Sequence, residues 1–167
     1  SLLDLLDVVP AQAGDVFFLE TGTVHAIGAG CLIAEIQQTS DITYRIYDFD
    51  RVDAHGKTRE LHTEQALDAI NYNKTEAKVS YRTVCNEPTT LVNCDYFTTK
   101  LLEIDSKLSI QKNTDSFVVY MCVEGSGSIT VDNLEYSFAL GHTVLLPASL
   151  VEFAVQGNAK LLEITID

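Results

Sequence analysis

The sequence predicts a mostly β protein made of small antiparallel barrels, and three observations lead to this prediction. Short apolar runs rich in β-branched and aromatic residues recur along the chain at near-regular spacing. Gly, Asn and Asp, which are typical of tight turns, separate these runs. A pattern near Gly14 returns near Gly141, which indicates two related units. Many short strands joined by turns favour a sandwich or a barrel.

The first half of the chain contains three predicted strands and one predicted helix. The strands cover residues 16–20, 31–38 and 42–47. Residues 60–70 instead place four apolar side chains at helical spacing, with acidic residues toward the start. The second half returns to strands, which are predicted at 79–84, 96–104, 117–123, 127–132, 134–138, 143–146, 150–155 and 160–166.

The internal repeat relates residues 13–27 to residues 140–153. Each copy runs from a turn glycine through an apolar strand to a tight corner and a returning strand. Such a corner is a building unit of a small β-barrel. The repeat therefore predicts two barrel units, in domains 1–85 and 86–167, of which the first has lost its N-terminal strands. The chain also begins without methionine, and we expect it to be a fragment.

Composition limits the classes of partner. The net charge of −13 disfavours nucleic acid and anionic membrane surfaces. No apolar run approaches the roughly 20 residues that span a bilayer, and the opening residues lack the features of a signal peptide. The four cysteines form no C-x-x-C pair. We therefore expect reduced thiols and a cytoplasmic location.

Three polar side chains of the first half are candidates for a functional site. His25 follows a Gly-Thr corner, which would place it at the mouth of a barrel, although a lone histidine in a strand is more often structural. Glu35 is centred in an apolar run, so it either lies at a wet barrel mouth or faces solvent from an edge strand. Arg45 lies between aromatic and aliphatic neighbours, and its alternative is a structural ion pair with Asp48 or Asp50.

The other charged groups are interpreted as structural or surface residues. Arg59 is assigned to the structure or the rim, and His55 and His62 are assigned to the surface. In the second copy of the repeat, Val151 or Glu152 occupies the corner position of His25. The second unit is therefore predicted to bind no metal.

Three motifs give the chain a resemblance to a known family. They are G-D-V-F-F-L-x-x-G-T-V-H-A-I-G-x-G at 14–30, E-I-Q-Q-T-S-D-I-T-Y-R-I-Y-D-F-D-R at 35–51, and K-T-R-E-L-H-T-E-Q-A-L-D-A-I at 57–70. Together they resemble type I phosphomannose isomerase (mannose-6-phosphate isomerase), in its shorter bacterial form. The resemblance is specific over residues 1–70 and looser from there to the C-terminus, and it places the chain in the C-terminal part of that family.

The resemblance implies both a fold and a site. The fold would be two cupin barrels (double-stranded β-helices, or jelly rolls), the first partial, the second complete, with one helical segment between them. Residues 1–85 would be the C-terminal part of the catalytic cupin, and residues 86–167 a second, metal-free cupin. His25 would be a zinc ligand, while the other ligands, a Gln/His pair and a Glu, would lie upstream of Ser1. Glu35 would contact substrate or transfer a proton, and Arg45 would be the active-site arginine.

The implied activity is that of an intramolecular oxidoreductase. A full-length family member uses zinc to interconvert mannose 6-phosphate and fructose 6-phosphate, so the implied partner is a phosphorylated hexose. We expect the isolated chain to be inactive and to self-associate as a two-fold dimer through the truncated barrel. The alternative is a non-catalytic cupin that binds a sugar or serves only a structural role.

Overall fold

The computed structural model describes residues 2–113 and 115–166, which divide into two compact units. The first unit extends to Lys78 and the second begins at Val79. No helix among these residues is long and apolar enough to span a membrane. The elements in chain order are a 3-10 helix Leu2–Leu5, β1 Val16–Phe17, α1 Thr63–Ala69, β2 Lys78–Val79, β3 Pro88–Asn93, β4 Thr98–Ile104, β5 Leu108–Gln111, β6 Val118–Val131, β7 Leu134–Ala139, β8 Thr143–Leu146 and β9 Glu152–Thr165.

The second unit is an antiparallel β-structure centred on its two longest strands. The strand order is β3-β4-β9-β6-β7, with β5 also paired to β9 and β8 also paired to β6. Strands β6 and β9 are each 14 residues long and pair along most of their length. Each therefore changes neighbours midway, from β8 to β7 along β6 and from β5 to β4 along β9. This change of partners lets the sheet fold over and enclose one face.

Alternation along the strands fills that enclosed face with apolar side chains. Successive residues of a strand point to opposite faces, so every second residue of β4, β6 and β9 enters the core. Burying an aliphatic or aromatic side chain contributes about 1.5–3 kcal/mol each. The core consists of Leu102, Ile104, Val118, Tyr120, Cys122, Ile129, Phe138, Leu146, Phe153, Val155, Ala159 and Leu161.

One polar row crosses this apolar interior. Tyr120 of β6 lies opposite Glu163 of β9, and Glu163 lies opposite Lys100 of β4. The hydroxyl of Tyr120 donates to Glu163 Oε2 at 2.6 Å, and Lys100 Nζ donates to Oε1 at 3.2 Å. Burial, together with the negative charge of Glu163, raises the pKa of Tyr120. The tyrosine therefore stays protonated and serves as a hydrogen-bond donor that holds the carboxylate.

The predicted strands of the second half are largely confirmed, with two kinds of difference. Residues 117–123 and 127–132 form the single strand β6, and residues 150–155 and 160–166 form the single strand β9. Gly125 and Gly157, which the sequence predicted as turns, are bends within continuous strands instead, because the facing strand supplies hydrogen bonds on both sides of each bend. Strands β3 and β5 were not predicted, and only Lys78–Val79 forms near the predicted strand 79–84.

The first unit has little regular structure. Strand β1 pairs with β2, and the predicted helix 60–70 is confirmed in the shorter form α1, which buries Ala66. The predicted strands 31–38 and 42–47 are wrong, since no strand is assigned between β1 and α1. A strand requires a neighbouring strand for its ladder of backbone hydrogen bonds, and no strand among the described residues pairs with these segments.

Candidate functional site

His25 lies on an exposed loop directly after a tight turn. Its Nδ1 lies 2.7 Å from the backbone carbonyl oxygen of Thr23. A carbonyl oxygen only accepts hydrogen bonds, so Nδ1 is the donor in this contact and Nε2 has no hydrogen-bond partner among the described residues. Metal-binding histidines commonly have this arrangement, in which one ring nitrogen donates to a backbone carbonyl and the other binds the ion. The local geometry of His25 therefore suits a single metal-ligand bond through Nε2.

Two pairs of turns give the internal repeat a structural basis. In the first copy, the Asp15 amide donates to the Gln12 carbonyl at 3.0 Å and the Thr23 amide donates to the Glu20 carbonyl at 3.0 Å. The second copy has the same two turns, formed by His142 with Ala139 at 2.9 Å and by Leu150 with Pro147 at 3.1 Å. Gly14 and Gly141 both adopt positive φ angles in the earlier turn, at 90° and 86°.

This register identifies the counterpart of His25 in the second unit. His25 comes two residues after Thr23, and Glu152 comes two residues after Leu150. Of the two residues that the sequence left open, Glu152 is therefore the equivalent position. Glu152 is the first residue of β9, which lies at the centre of the sheet of the second unit. His25 thus occupies the position at which a returning barrel strand would begin.

Glu35 lies in an irregular segment. Its side chain is exposed and makes no hydrogen bond or ion pair with the residues that the structure describes. The sequence predicted a strand over residues 31–38, which contains Glu35, and this strand is absent. The carboxylate is free to contact a group from outside this chain.

Arg45 is held beside the start of α1. Its amide donates to His62 Nδ1 at 3.1 Å, and its carbonyl accepts from the His62 amide at 2.7 Å. The guanidinium Nη1 donates to the Glu60 carbonyl at 3.3 Å. The half-buried Arg45 therefore does not form the ion pair with Asp48 or Asp50 that was its alternative, and its guanidinium keeps most of its donors.

His62 has a different role from the predicted one. The sequence assigned it to the surface, but it is half-buried, precedes α1 and bonds Arg45 through both its backbone and its ring. Its ring also packs against Tyr44, with the ring centroids 6.3 Å apart. No local sequence pattern predicts this contact, because the segment around Arg45 and the residue before α1 come together only in the folded chain.

Arg59 closes the loop that follows Arg45. Its Nε donates to Asp48 Oδ2 at 2.8 Å, and its Nη2 contacts Oδ1, so the pair is bidentate. Asp48 is buried, and the Arg59 guanidinium holds the pKa of this carboxyl below its usual value, with smaller contributions from the charges of Arg45 and Arg51. The Asp48–Arg59 pair therefore fixes the backbone directly after Arg45.

The described residues do not form a metal site by themselves. No group of three or more His, Cys, Asp or Glu side chains among residues 2–113 and 115–166 is close enough to hold an ion. No hydrogen bond or ion pair of these residues joins His25, Glu35 and Arg45 to one another. His25 is a suitable single ligand, but the remaining donors of a metal centre are not provided by this part of the chain.

The architecture of the second unit defines the class of protein, which is the cupin class of small β-barrels. The mostly β, cupin fold that the sequence predicted is thus confirmed. Residues 87–166 match the family model described as mannose-6-phosphate isomerase, cupin domain. These residues are therefore similar to that family of cupin domains.

Curated relatives extend the match over nearly the whole chain. The chain is 36% identical over 95% of its length to the mannose-6-phosphate isomerase of Streptococcus mutans, and 38% identical over 94% of its length to the mannose-6-phosphate isomerase ManA of Bacillus subtilis. It covers 50% of each relative, in the C-terminal part. The chain therefore spans about half the length of the curated relatives it matches, and the predicted resemblance is confirmed.

Solved structures show the same relationship. The crystal structure of the Bacillus subtilis mannose 6-phosphate isomerase superposes with a TM-score of 0.67 at 28% identity, covering 76% of this chain and 41% of that chain. The E264A mutant of the Salmonella typhimurium phosphomannose isomerase superposes with a TM-score of 0.55 at 14% identity, covering 66% of this chain and 29% of that chain. The second likeness shows a shared fold alone.

Proposed function

We propose that this chain is the C-terminal half of a mannose-6-phosphate isomerase, which interconverts mannose 6-phosphate and fructose 6-phosphate. The observation that carries the proposal is the identity of 36–38% to two relatives with this name over about 95% of the chain. Since the chain spans only about half of each relative, the activity is that of a protein of the relatives' full length. We expect the isolated chain to be inactive.

The reaction sets two requirements that residues of this chain are suited to meet. Moving a proton between C1 and C2 of the sugar needs an acid–base group, and the negative charge that develops on oxygen needs a nearby cation. Glu35 offers an exposed carboxylate that has no hydrogen-bond or ion-pair partner among the described residues. We assign it to substrate contact or proton transfer.

Arg45 is suited to the second requirement. Its backbone is fixed on both sides by His62, and the ion pair that would neutralise it is absent because Arg59 occupies Asp48. A guanidinium held in this way stabilises an oxyanion without having to reorganise during the reaction. We assign Arg45 to that role in the catalytic half, which we place in residues 1–85.

Zinc dependence is part of the same proposal. His25 would provide one ligand through Nε2, and the other ligands would come from a preceding segment of the full-length protein. A bound zinc ion would polarise the oxygens of the sugar. We propose that residues 86–167 form a second cupin without a metal, since Glu152 takes the place of His25 there.

The free state of the cysteines supports the proposal of a cytoplasmic location. Cys31, Cys85, Cys94 and Cys122 are all free. Free cysteines, two of them exposed, are typical of a reducing compartment. The acidic net charge supports a small-molecule substrate rather than nucleic acid or a membrane surface as the partner.

The test compares two histidine variants of the full-length protein that contains this chain. We expect His25→Ala to lose the bound zinc and to lower the isomerase rate on mannose 6-phosphate by more than about 100-fold. The matched control, His55→Ala, removes an exposed loop histidine and should retain both. Metal content after dialysis and the initial rate are the two measurements.

Two outcomes would overturn the proposal. A His25→Ala protein with full zinc and full rate would remove His25 from the site. A correctly folded full-length wild-type protein that binds no metal and does not isomerise the sugar phosphate would favour the alternative, a non-catalytic cupin with a sugar-binding or structural role.

A further inference from the structure

His62 joins the segment around Arg45 to the start of α1 through both its backbone and its side chain. The carbonyl of His62 accepts from the Ala66 amide at 2.9 Å, which is the first hydrogen bond of α1. Its amide donates to the Arg45 carbonyl at 2.7 Å, and its ring Nδ1 accepts from the Arg45 amide at 3.1 Å. The side chain of His62 makes no hydrogen bond that caps α1. The ring is therefore used for Arg45 and not for the helix.

The contact with Arg45 fixes which ring nitrogen of His62 carries the proton. A backbone N–H only donates, so Nδ1 accepts with its lone pair and the neutral ring has its proton on Nε2. Nε2 has no hydrogen-bond partner among the residues that the structure describes. The half-buried ring also packs against Tyr44, with the ring centroids 6.3 Å apart. The orientation of the ring is thus set by Tyr44 and by the Arg45 amide together.

Arg45 depends on this support because no strand holds its backbone. No strand is assigned over residues 42–47, so a ladder of strand hydrogen bonds is absent there. The guanidinium Nη1 of Arg45 donates to the carbonyl of Glu60, two residues before His62, at 3.3 Å. The backbone and the guanidinium of Arg45 are therefore both held by the segment 60–62. A shift between Arg45 and His62 would move the positive charge as well.

We propose that His62 is a positioning residue for Arg45 in the isomerase reaction and that it acts through its Nδ1 acceptor. The inference rests on the proposed function and deepens it, since it names the group that sets where the cation beside the developing oxyanion lies. A displacement of about 1 Å in a catalytic group can cost about 100-fold in rate. His62 acts through Arg45, without touching the substrate.

The test compares two amide variants of His62 in the full-length protein that contains this chain. In His62→Asn the side-chain oxygen is bonded to Cγ, as Nδ1 is, so it can accept from the Arg45 amide. In His62→Gln the amide group reaches the position of Nε2 and leaves the Arg45 amide without its partner.

We expect the two variants to differ in kcat on mannose 6-phosphate. His62→Gln should lower kcat by about 10- to 100-fold, because Arg45 is no longer held in place. His62→Asn should stay within about three-fold of the wild type, because the hydrogen bond is kept. KM should change little in either variant, since the lost interaction stabilises the transition state and not the bound substrate.

Two controls separate this role from the stability of α1. His62→Ser supplies a helix cap, as Asn does, but its hydroxyl is too short to reach the Arg45 amide, so this variant should be as slow as His62→Gln. His55→Gln makes the same change at an exposed loop histidine and should keep the wild-type kcat. Circular dichroism spectra and melting temperatures establish that each variant is folded.

The tautomer of His62 is a second readout that does not depend on activity. Nitrogen-15 NMR of the full-length protein, labelled at its histidine rings, distinguishes protonated from unprotonated ring nitrogens. The signals of His62 are those that disappear in His62→Asn. In mildly alkaline buffer they should show Nδ1 unprotonated and Nε2 protonated.

The inference is wrong if Nδ1 carries the proton, or if His62→Asn is as slow as His62→Gln. A His62→Gln protein with the wild-type kcat would equally overturn it, because Nδ1 would then not be needed. A folded wild-type protein that does not isomerise mannose 6-phosphate would instead overturn the proposed function, and with it the catalytic role of His62, whichever tautomer is found.

Discussion

Asp48 is a buried carboxylate whose two oxygens both meet the guanidinium of Arg59. Five residues of the chain, from Asp48 to Val52, turn sharply here, and Phe49 and Asp50 adopt positive φ angles of 54° and 52°. Such backbone conformations are unfavourable for these residue types and persist where the surroundings impose them. The ion pair therefore holds a strained turn directly after the proposed catalytic arginine.

The depressed pKa of Asp48 predicts a pH dependence. Because the pKa of the folded state lies below that of the unfolded state, the stabilisation by this group is present above the unfolded value of about 3.9 and is lost as the pH falls through the folded value. We expect Asp48→Asn to be less stable than the wild type at about pH 6.

The difference in melting temperature between the wild type and Asp48→Asn should shrink toward zero at about pH 2. Thermal unfolding followed by circular dichroism at several pH values measures this difference. The control Asp41→Asn, at an exposed position, should follow the wild type throughout. A difference that stays constant with pH would show that Asp48 does not stabilise the protein through its charge.

At the level of secondary-structure elements, bends within β6 and β9 allow the sheet of the second unit to fold over its apolar face. Gly125 has a φ of 76° and Gly157 a φ of 148°, and the register shifts between Cys122 and Glu124. Side chains are disfavoured at these φ angles, and the two strands are too close for a Cβ at either glycine. The bends let each strand pair with two different neighbours, which a straight strand could not do.

A glycine-to-alanine comparison tests this role. Gly157→Ala should destabilise the protein by about 3 kcal/mol, because it adds a backbone clash to an unfavourable φ. Gly28→Ala is the matched control, since no atom lies within 4 Å of its Cβ position, and it should have little effect. Urea unfolding of both variants gives the two free energies. Equal stability of the two variants would contradict the importance of the close approach.

For the molecule as a whole, the first unit differs from the second in how much apolar surface it exposes. Leu32 and Val8 are each 90% exposed and Ile42 is 65% exposed, whereas the second unit buries a continuous core. The segments 31–38 and 42–47 combine a strand-like sequence with a backbone that pairs with no strand of the described residues. Unpaired strand-like segments and exposed apolar patches tend to recruit partners.

We therefore expect the 167-residue chain to self-associate through its first unit, most simply as a two-fold dimer. Light scattering across a dilution series should show a mass that falls with dilution. The double variant Leu32→Ser/Ile42→Ser should weaken the association, while Leu134→Ser, which changes an exposed leucine of β7, should not. The charge of −13 opposes association, but salt screens it. A monomer at every concentration would rule out the dimer.

The sequence by itself determined the features that depend on neighbouring residues. The turn glycines at 14 and 141, the helix within 60–70 and the strand 143–146 follow from backbone preference and side-chain spacing, and all three are present in the structure. The three motifs in 14–30, 35–51 and 57–70 were sufficient to identify the family. His25, Glu35 and Arg45 were selected in the same way, and their roles stay predictions.

Only the tertiary structure decided the features that depend on distant partners. Strands β6 and β9 run through their glycines because each has a facing strand. The predicted segments 31–38 and 42–47 form no strand because no strand of the described chain pairs with them. Asp48 pairs with Arg59 and not with Arg45, and His62 holds the backbone of Arg45, through contacts that no local pattern encodes. The physical reason is the same in each case. A backbone hydrogen bond or an ion pair needs two groups in contact. The sequence shows which groups exist, but only the folded chain shows which of them are in contact.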